Sequence, residues 1–182
     1  MIAAKQTGTC IITGNGITVN GQTVFEQAPD VNFTTFAKAA FKHLELEYPK
    51  FYKMDRLCKL GFLAVEYLFA GNPDFRPDES MAIILCSSSG SLDSDMTHLQ
   101  NIEQPSPAVF VYTLPNIVIG EIAIRHGIKG ETAFFICKDD DDSVAQEYAS
   151  ILLSGGMAGS CITGWIDYMD ERYLARFSFL PG

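Results

Sequence analysis

The sequence predicts an α/β fold, with helices flanking a mixed and largely parallel sheet. Three observations carry that expectation. Strand-like and helix-like stretches alternate through most of the chain. The run over residues 81–86 is continuously apolar, as expected of a strand buried on both faces. The C-terminal run alternates instead, with Tyr173, Ala175, Phe177 and Phe179 on one side and Leu174, Arg176 and Ser178 on the other.

The elements follow in order. Residues 9–13 form a short β-rich run closed by Gly14-Asn15-Gly16. Residues 17–25 surround Asn20-Gly21, a strong hairpin signal because both positions tolerate a left-handed backbone. Residues 32–47 read as a helix with Phe33, Phe36, Ala37, Ala40, Phe41 and Leu44 on one face, ended by Pro49. A second helix covers 54–70, with Leu57, Leu60, Gly61, Ala64 and Leu68 at helical spacing and Gly71-Asn72-Pro73 as its stop. After the buried strand, Ser87-Ser88-Ser89-Gly90 turns the chain into a polar helix over 91–103. Pro105 and Pro107 break the chain, and Thr113-Leu114-Pro115-Asn116 leads into an apolar helix ending near His126-Gly127. Residues 130–164 then give an apolar run, a sharp turn, an amphipathic helix and a second apolar run. No repeat or linker interrupts the pattern, so residues 1–182 are expected to form a single domain.

Charge narrows the classes of function. The formal net charge of -9 repels a phosphate backbone, which argues against nucleic acid as a partner. It also repels an acidic protein unless the basic residues are clustered. No apolar run reaches the 18 or so residues of a membrane span, and the start MIAAKQTGTC lacks the apolar core of a secretory signal. The five cysteines, Cys10, Cys58, Cys86, Cys137 and Cys161, are scattered singly without a CxxC pair. Buried reduced thiols in a cytoplasmic protein are therefore expected, rather than a disulfide framework or a zinc site.

The candidate chemistry centres on the turn before the amphipathic helix, which holds Asp139, Asp140, Asp141 and Asp142. A helix start leaves amide N–H groups unpaired, so one or two aspartates there serve as caps. Four exceed that need. The surplus is either solvated or binds a hard cation or a positively charged partner. Cys137 stands just before the turn; a helix N-terminus lowers a thiol pKa, whereas nearby carboxylates raise it. His43 and His98 fall on polar helix faces, and His126 lies near a helix C-terminus. Ser87-Ser88-Ser89-Gly90 lacks the Gly-Lys-Ser/Thr ending of a P-loop and reads as a tight strand-to-helix turn. Gly14-Asn15-Gly16 precedes a hairpin, not a helix, and is no dinucleotide fingerprint. No cofactor is implied.

Four segments in order resemble the N-terminal half of β-ketoacyl-acyl-carrier-protein synthases, members of the thiolase-like fold. They are Cys10-Ile-Ile-Thr-Gly-Asn-Gly16, Lys53-Met-Asp-Arg-Leu-Cys-Lys-Leu60, Ile84-Leu-Cys-Ser-Ser-Ser-Gly90 and the long phrase over residues 113–130. The resemblance covers roughly residues 9–164. It implies a thiolase-like half-fold. Counting on from Gly130, it also puts the family's cysteine nucleophile at Asp139, with Gly156 and Gly164 on family glycines. A carboxylate is a poor acceptor for acyl transfer, so the resemblance implies lost acyl-enzyme chemistry, with Cys137 the alternative nucleophile. The family's catalytic histidines come from a second half that this chain, ending at Gly182, does not include. Residues 132–138 occupy the place of the strand that pairs across the family's dimer two-fold. The expectation is a non-catalytic, chain-length-factor-like subunit, as a homodimer or as a heterodimer with a full-length ketosynthase, with an acyl carrier protein as a further partner. The competing readings are an acyl-thioester hydrolase or decarboxylase of altered chemistry, and a free-standing structural homodimer.

Overall fold

The computed structural model describes residues 8–138 and 140–182. Three N-terminal strands come first, β1 (Gly8–Thr13), β2 (Gly16–Val19) and β3 (Gln22–Glu26). They form an antiparallel meander. Asn20 and Gly21 turn it, with φ of 51° and 80°, the doubly left-handed turn that the Asn-Gly pair favours.

Helix α1 (Phe33–His43) begins at Asn32, whose side chain accepts the Thr35 amide at 2.9 Å. It is shorter than the 32–47 expected: Glu45 takes a left-handed φ of 52°, which stops the helix before Pro49 is reached. Helix α2 (Arg56–Ala70) begins at Asp55, which accepts the Cys58 amide at 2.8 Å, and is buried along nearly all its length. Then come β4 (Ala82–Ser87), α3 (Leu92–Gln100) and α4 (Pro107–Val111). Pro107 starts α4 rather than breaking the chain, because a first-turn residue needs no amide hydrogen. The remaining elements are α5 (Ile117–His126), β5 (Thr132–Ile136), α6 (Ser143–Ser154), β6 (Ser160–Met169) and β7 (Arg172–Pro181).

Among the described residues seven strands form one sheet in the order β3-β2-β1-β7-β6-β4-β5. The α/β class stands, but the sheet is not largely parallel. Parallel pairing is confined to β4 with β5 and β4 with β6. The reason is local: β6 returns as β7 through Asp170-Glu171 with no crossover, and the N-terminal meander docks against β7. Asp170 and Glu171 both have positive φ, 49° and 61°. The Glu171 carboxylate offsets that strain by accepting the Phe33 amide at 2.7 Å and the Tyr168 hydroxyl at 3.0 Å.

Helices α1, α2 and α5 cover one face of the sheet, packing on Ile12, Ile83, Leu85, Ile166 and Phe177. Helix α6 covers part of the other through Ala145, Ala149 and Leu152, against Ile84, Cys86 and Trp165. All six residues of β4 are buried, which is why that run had to be continuously apolar. β5 and β6, each reached through helical segments, pair in parallel with β4 on its two sides.

Candidate functional site: the serine loop and the acidic turn

β4 ends at Ser87, and Ser88, Ser89 and Gly90 turn the chain into α3. Their donors converge on one carboxylate, Asp167 of β6. Its Oδ1 accepts the Ser87 hydroxyl at 2.6 Å and the Ser88 and Ser89 amides at 3.1 and 2.8 Å. Its Oδ2 accepts the Ser88 and Ser89 hydroxyls, each at 3.1 Å. The loop is thus a tight strand-to-helix turn whose anion-binding donors are filled by the chain's own aspartate. Sequence reasoning missed Asp167. The available signal was that it is the one charged residue inside the apolar run of β6.

The acidic turn meets β7 through Arg176. Asp140 accepts from both guanidinium NH2 groups, at 2.8 and 3.2 Å, the two-pronged geometry that suits Arg. Asp142 Oδ1 lies 3.7 Å from the same guanidinium and accepts from Gln146 Nε2 at 3.1 Å. Asp141 accepts the Ser143 amide at 2.9 Å. That amide and the Ser143 hydroxyl hold its carboxyl below the usual range. Asp142 is the N-cap residue of α6, yet Asp141 makes the capping bond. Asp139, the position that the sequence resemblance assigns to the family's nucleophile, lies outside the described residues. Among the described residues no group of three or more His, Cys, Asp or Glu side chains gathers as metal ligands would.

Ser88, Asp140, Trp165, Asp167, Arg172 and Tyr173 line a cavity of about 280 Å³ between loop and turn. Ligands of open α/β sheets bind outside the C-terminal ends of parallel strands, and this cavity has that placement.

Cys137 is half-buried, with its sulfur 3.4 Å from that of Cys86. Cys86 is buried, and burial, then the hydrogen bond with Cys137, pushes its thiol up to about 12. The histidines engage other groups. His43 is exposed, with Nδ1 3.0 Å from the Tyr67 hydroxyl. His126 Nε2 lies 3.3 Å from Glu66. His98 is half-buried against the Phe110 ring rather than on the surface, because α4 folds back over α3.

Two surfaces complete the picture. Among the described residues β5 is a sheet edge, paired on one side only, and its Ile136 is 62% exposed. Ile136 lies against Gly90 with Pro115 alongside, and Leu92, Phe110, Val111 and Leu114 on neighbouring segments are exposed as well. Next to α4, Lys53, Arg56 and Lys59 share a cavity of about 290 Å³ with Asp55, Asp93, Val109 and Tyr112. Among the described residues no helix is long and apolar enough to cross a membrane.

No known family model matches the sequence, and no curated protein does. Solved structures do. The ishigamide ketosynthase/chain length factor superposes with a TM-score of 0.72 at 18% identity, over 97% of this chain and 61% of that one. A type II polyketide synthase acyl-carrier protein in complex with its ketosynthase (AntDE:AntF) gives 0.67 at 14% identity, over 97% and 61%. The ketosynthase ApeO in complex with its chain length factor ApeC, from Xenorhabdus doucetiae, gives 0.61 at 14%, over 100% and 79%. The chain therefore spans 61% of the length of the first two. At such identities the likeness is one of fold, and the fold is the thiolase-like half that the sequence motifs imply.

Proposed function

We propose that this chain is a non-catalytic, chain-length-factor-like subunit that works beside a full-length ketosynthase in polyketide- or fatty-acid-type biosynthesis. The observation that carries this reading is the open edge of β5. A strand edge with free backbone donors and acceptors is a template for pairing with another chain. Here it is flanked by exposed Ile136, Leu114, Phe110 and Val111, the apolar surround that a stable interface buries.

Three further observations agree. The position aligned with the family nucleophile is Asp139, a carboxylate with little capacity to carry an acyl group. Cys137 has its sulfur turned to Cys86. Two of the matched structures pair a ketosynthase with a chain length factor, and one holds an acyl-carrier protein. An acidic carrier could use the basic residues Lys53, Arg56 and Lys59, which stand together on a chain that is otherwise strongly acidic. The reading requires no cofactor.

Co-expression with complete ketosynthases tests it. A heterodimer on size exclusion is expected, with a change in product chain length when this chain is left out. Elution alone, with product unchanged, overturns it, and a homodimer through the same edge points to a free-standing structural role. Thioester turnover, or an acyl adduct on the isolated chain, favours an enzyme of altered chemistry instead.

A further inference from the structure

We infer that Cys86 and Cys137 form a dithiol site, which a low-molecular-weight disulfide converts to an intramolecular disulfide that pins the start of the acidic turn to β4. Cys86 stands opposite Phe135 in the parallel pairing of β4 and β5. Cys137 is two residues past Phe135, so it shares that face of the sheet. The sulfurs are 3.4 Å apart. The backbone is already held, because the Cys137 amide donates to the Ser87 carbonyl at 2.9 Å. Closure brings the two sulfurs from 3.4 Å to bonding distance, about 2 Å.

The two thiols differ in access, and this assigns their roles. Cys86 is fully buried beneath α6, whereas Cys137 is half-buried and meets solvent. A solvent-borne disulfide such as oxidised glutathione reaches Cys137 first. The Cys137 thiolate attacks one of its sulfurs, the S–S bond breaks, and one glutathione thiolate leaves. Cys86 gives up its proton and attacks the Cys137 sulfur, and the second glutathione leaves and takes up a proton. In sum, two protein thiols lose two electrons and two protons, and one glutathione disulfide becomes two thiols. The Ala145 amide, in the first turn of α6, points at the Cys86 sulfur and supports the developing thiolate. Burial of Cys86 opposes it, which makes the second step the slow one. Cys10, Cys58 and Cys161 are buried and free, so the site is selective.

The test uses the full chain in glutathione buffers of graded potential, with thiols trapped by alkylation and mapped by peptide mass spectrometry. The expected result is a cross-linked Cys86–Cys137 peptide and loss of two of the five thiols, with Cys10, Cys58 and Cys161 still alkylated. In C86A the resolving thiol is gone, and Cys137 is expected to hold roughly tenfold more glutathione than in the unaltered chain. Cys86 fully alkylated at every potential overturns the inference, as does equal glutathione on Cys137 in both proteins. Should C86A not fold, the peptide map of the unaltered chain decides alone.

Discussion

Asp167 accepts five hydrogen bonds from three consecutive serines, and its removal strands donors of unequal value. Ser88 is exposed and rehydrates freely, but the Ser87 hydroxyl is fully buried and would lose its acceptor. An unpaired buried hydroxyl costs on the order of 1–3 kcal/mol. Asp167→Ala is therefore expected to lower unfolding free energy by about 2 kcal/mol, read from the urea midpoint at unchanged slope. At this scale the sequence revealed one side of each contact. The serine motif was visible, but its partner lies 80 residues away from Ser87 along the chain. The Cys86–Cys137 contact spans 51 residues, and neither cysteine has a neighbouring residue that marks it. Strand periodicity gave each side chain a face, while the loops and crossovers that bring the faces together carry no such period.

Among the elements, α2 shows how closely a helix can be seated. A Cβ on Gly61 would fall 2.4 Å from Val118 Cγ2 of α5 and 3.0 Å from Ile166 Cδ1 of β6. Alanine gains up to about 1 kcal/mol of helix propensity over glycine. Overpacking costs about 1–3 kcal/mol, and the branched Val118 side chain has little freedom to turn aside. The clash wins, so Gly61→Ala is expected to lower the thermal midpoint, with the reverse result showing that α2 and α5 can part. The helical spacing of α2 was legible because its buried positions repeat. Helix α4 was not, since Pro107 carries the same letter whether it breaks a helix or begins one. The β6–β7 hairpin was hidden too. Its turn is Asp170-Glu171, which holds positive φ through the contacts of Glu171 rather than through a glycine.

Taken as a whole, the molecule is acidic and keeps carboxylates inside it. Glu66 is buried between α2 and α5; burial alone would raise its pKa, but hydrogen bonds from His126 and Arg125 outweigh it and hold the carboxyl below the usual range. A lowered folded-state pKa adds stability above the unfolded value, and that stability is lost as pH falls through the folded value. The unfolded value is about 4.3, so the loss begins below roughly pH 5. Glu66→Gln is expected to be less stable than the unaltered chain at neutral pH. Below that point it should show a shallower acid loss, as followed by denaturation across a pH series. At the same scale, Ile136→Asp sets a charge on the open edge of β5. It should leave the unfolding free energy within about 0.5 kcal/mol, as exposed sites do. Association with a ketosynthase should weaken at least about tenfold, since an interface core excludes charge. Equal binding by both proteins would move the interface elsewhere.

The sheet joins its first strand to its last, with Thr13 of β1 bonded to Tyr173 of β7 across 160 residues. A ribosome adds about 5–20 residues per second, so β1 waits on the order of ten to thirty seconds for its neighbour to emerge. Throughout that interval the edge of β1 that β7 takes is unclaimed, and α2 lacks β6 and β7, two of the strands it packs against. The pairing of β1 with β7 therefore waits until residues 172–181 have emerged, and until then the open edge of β1 is a template for mispairing between nascent chains.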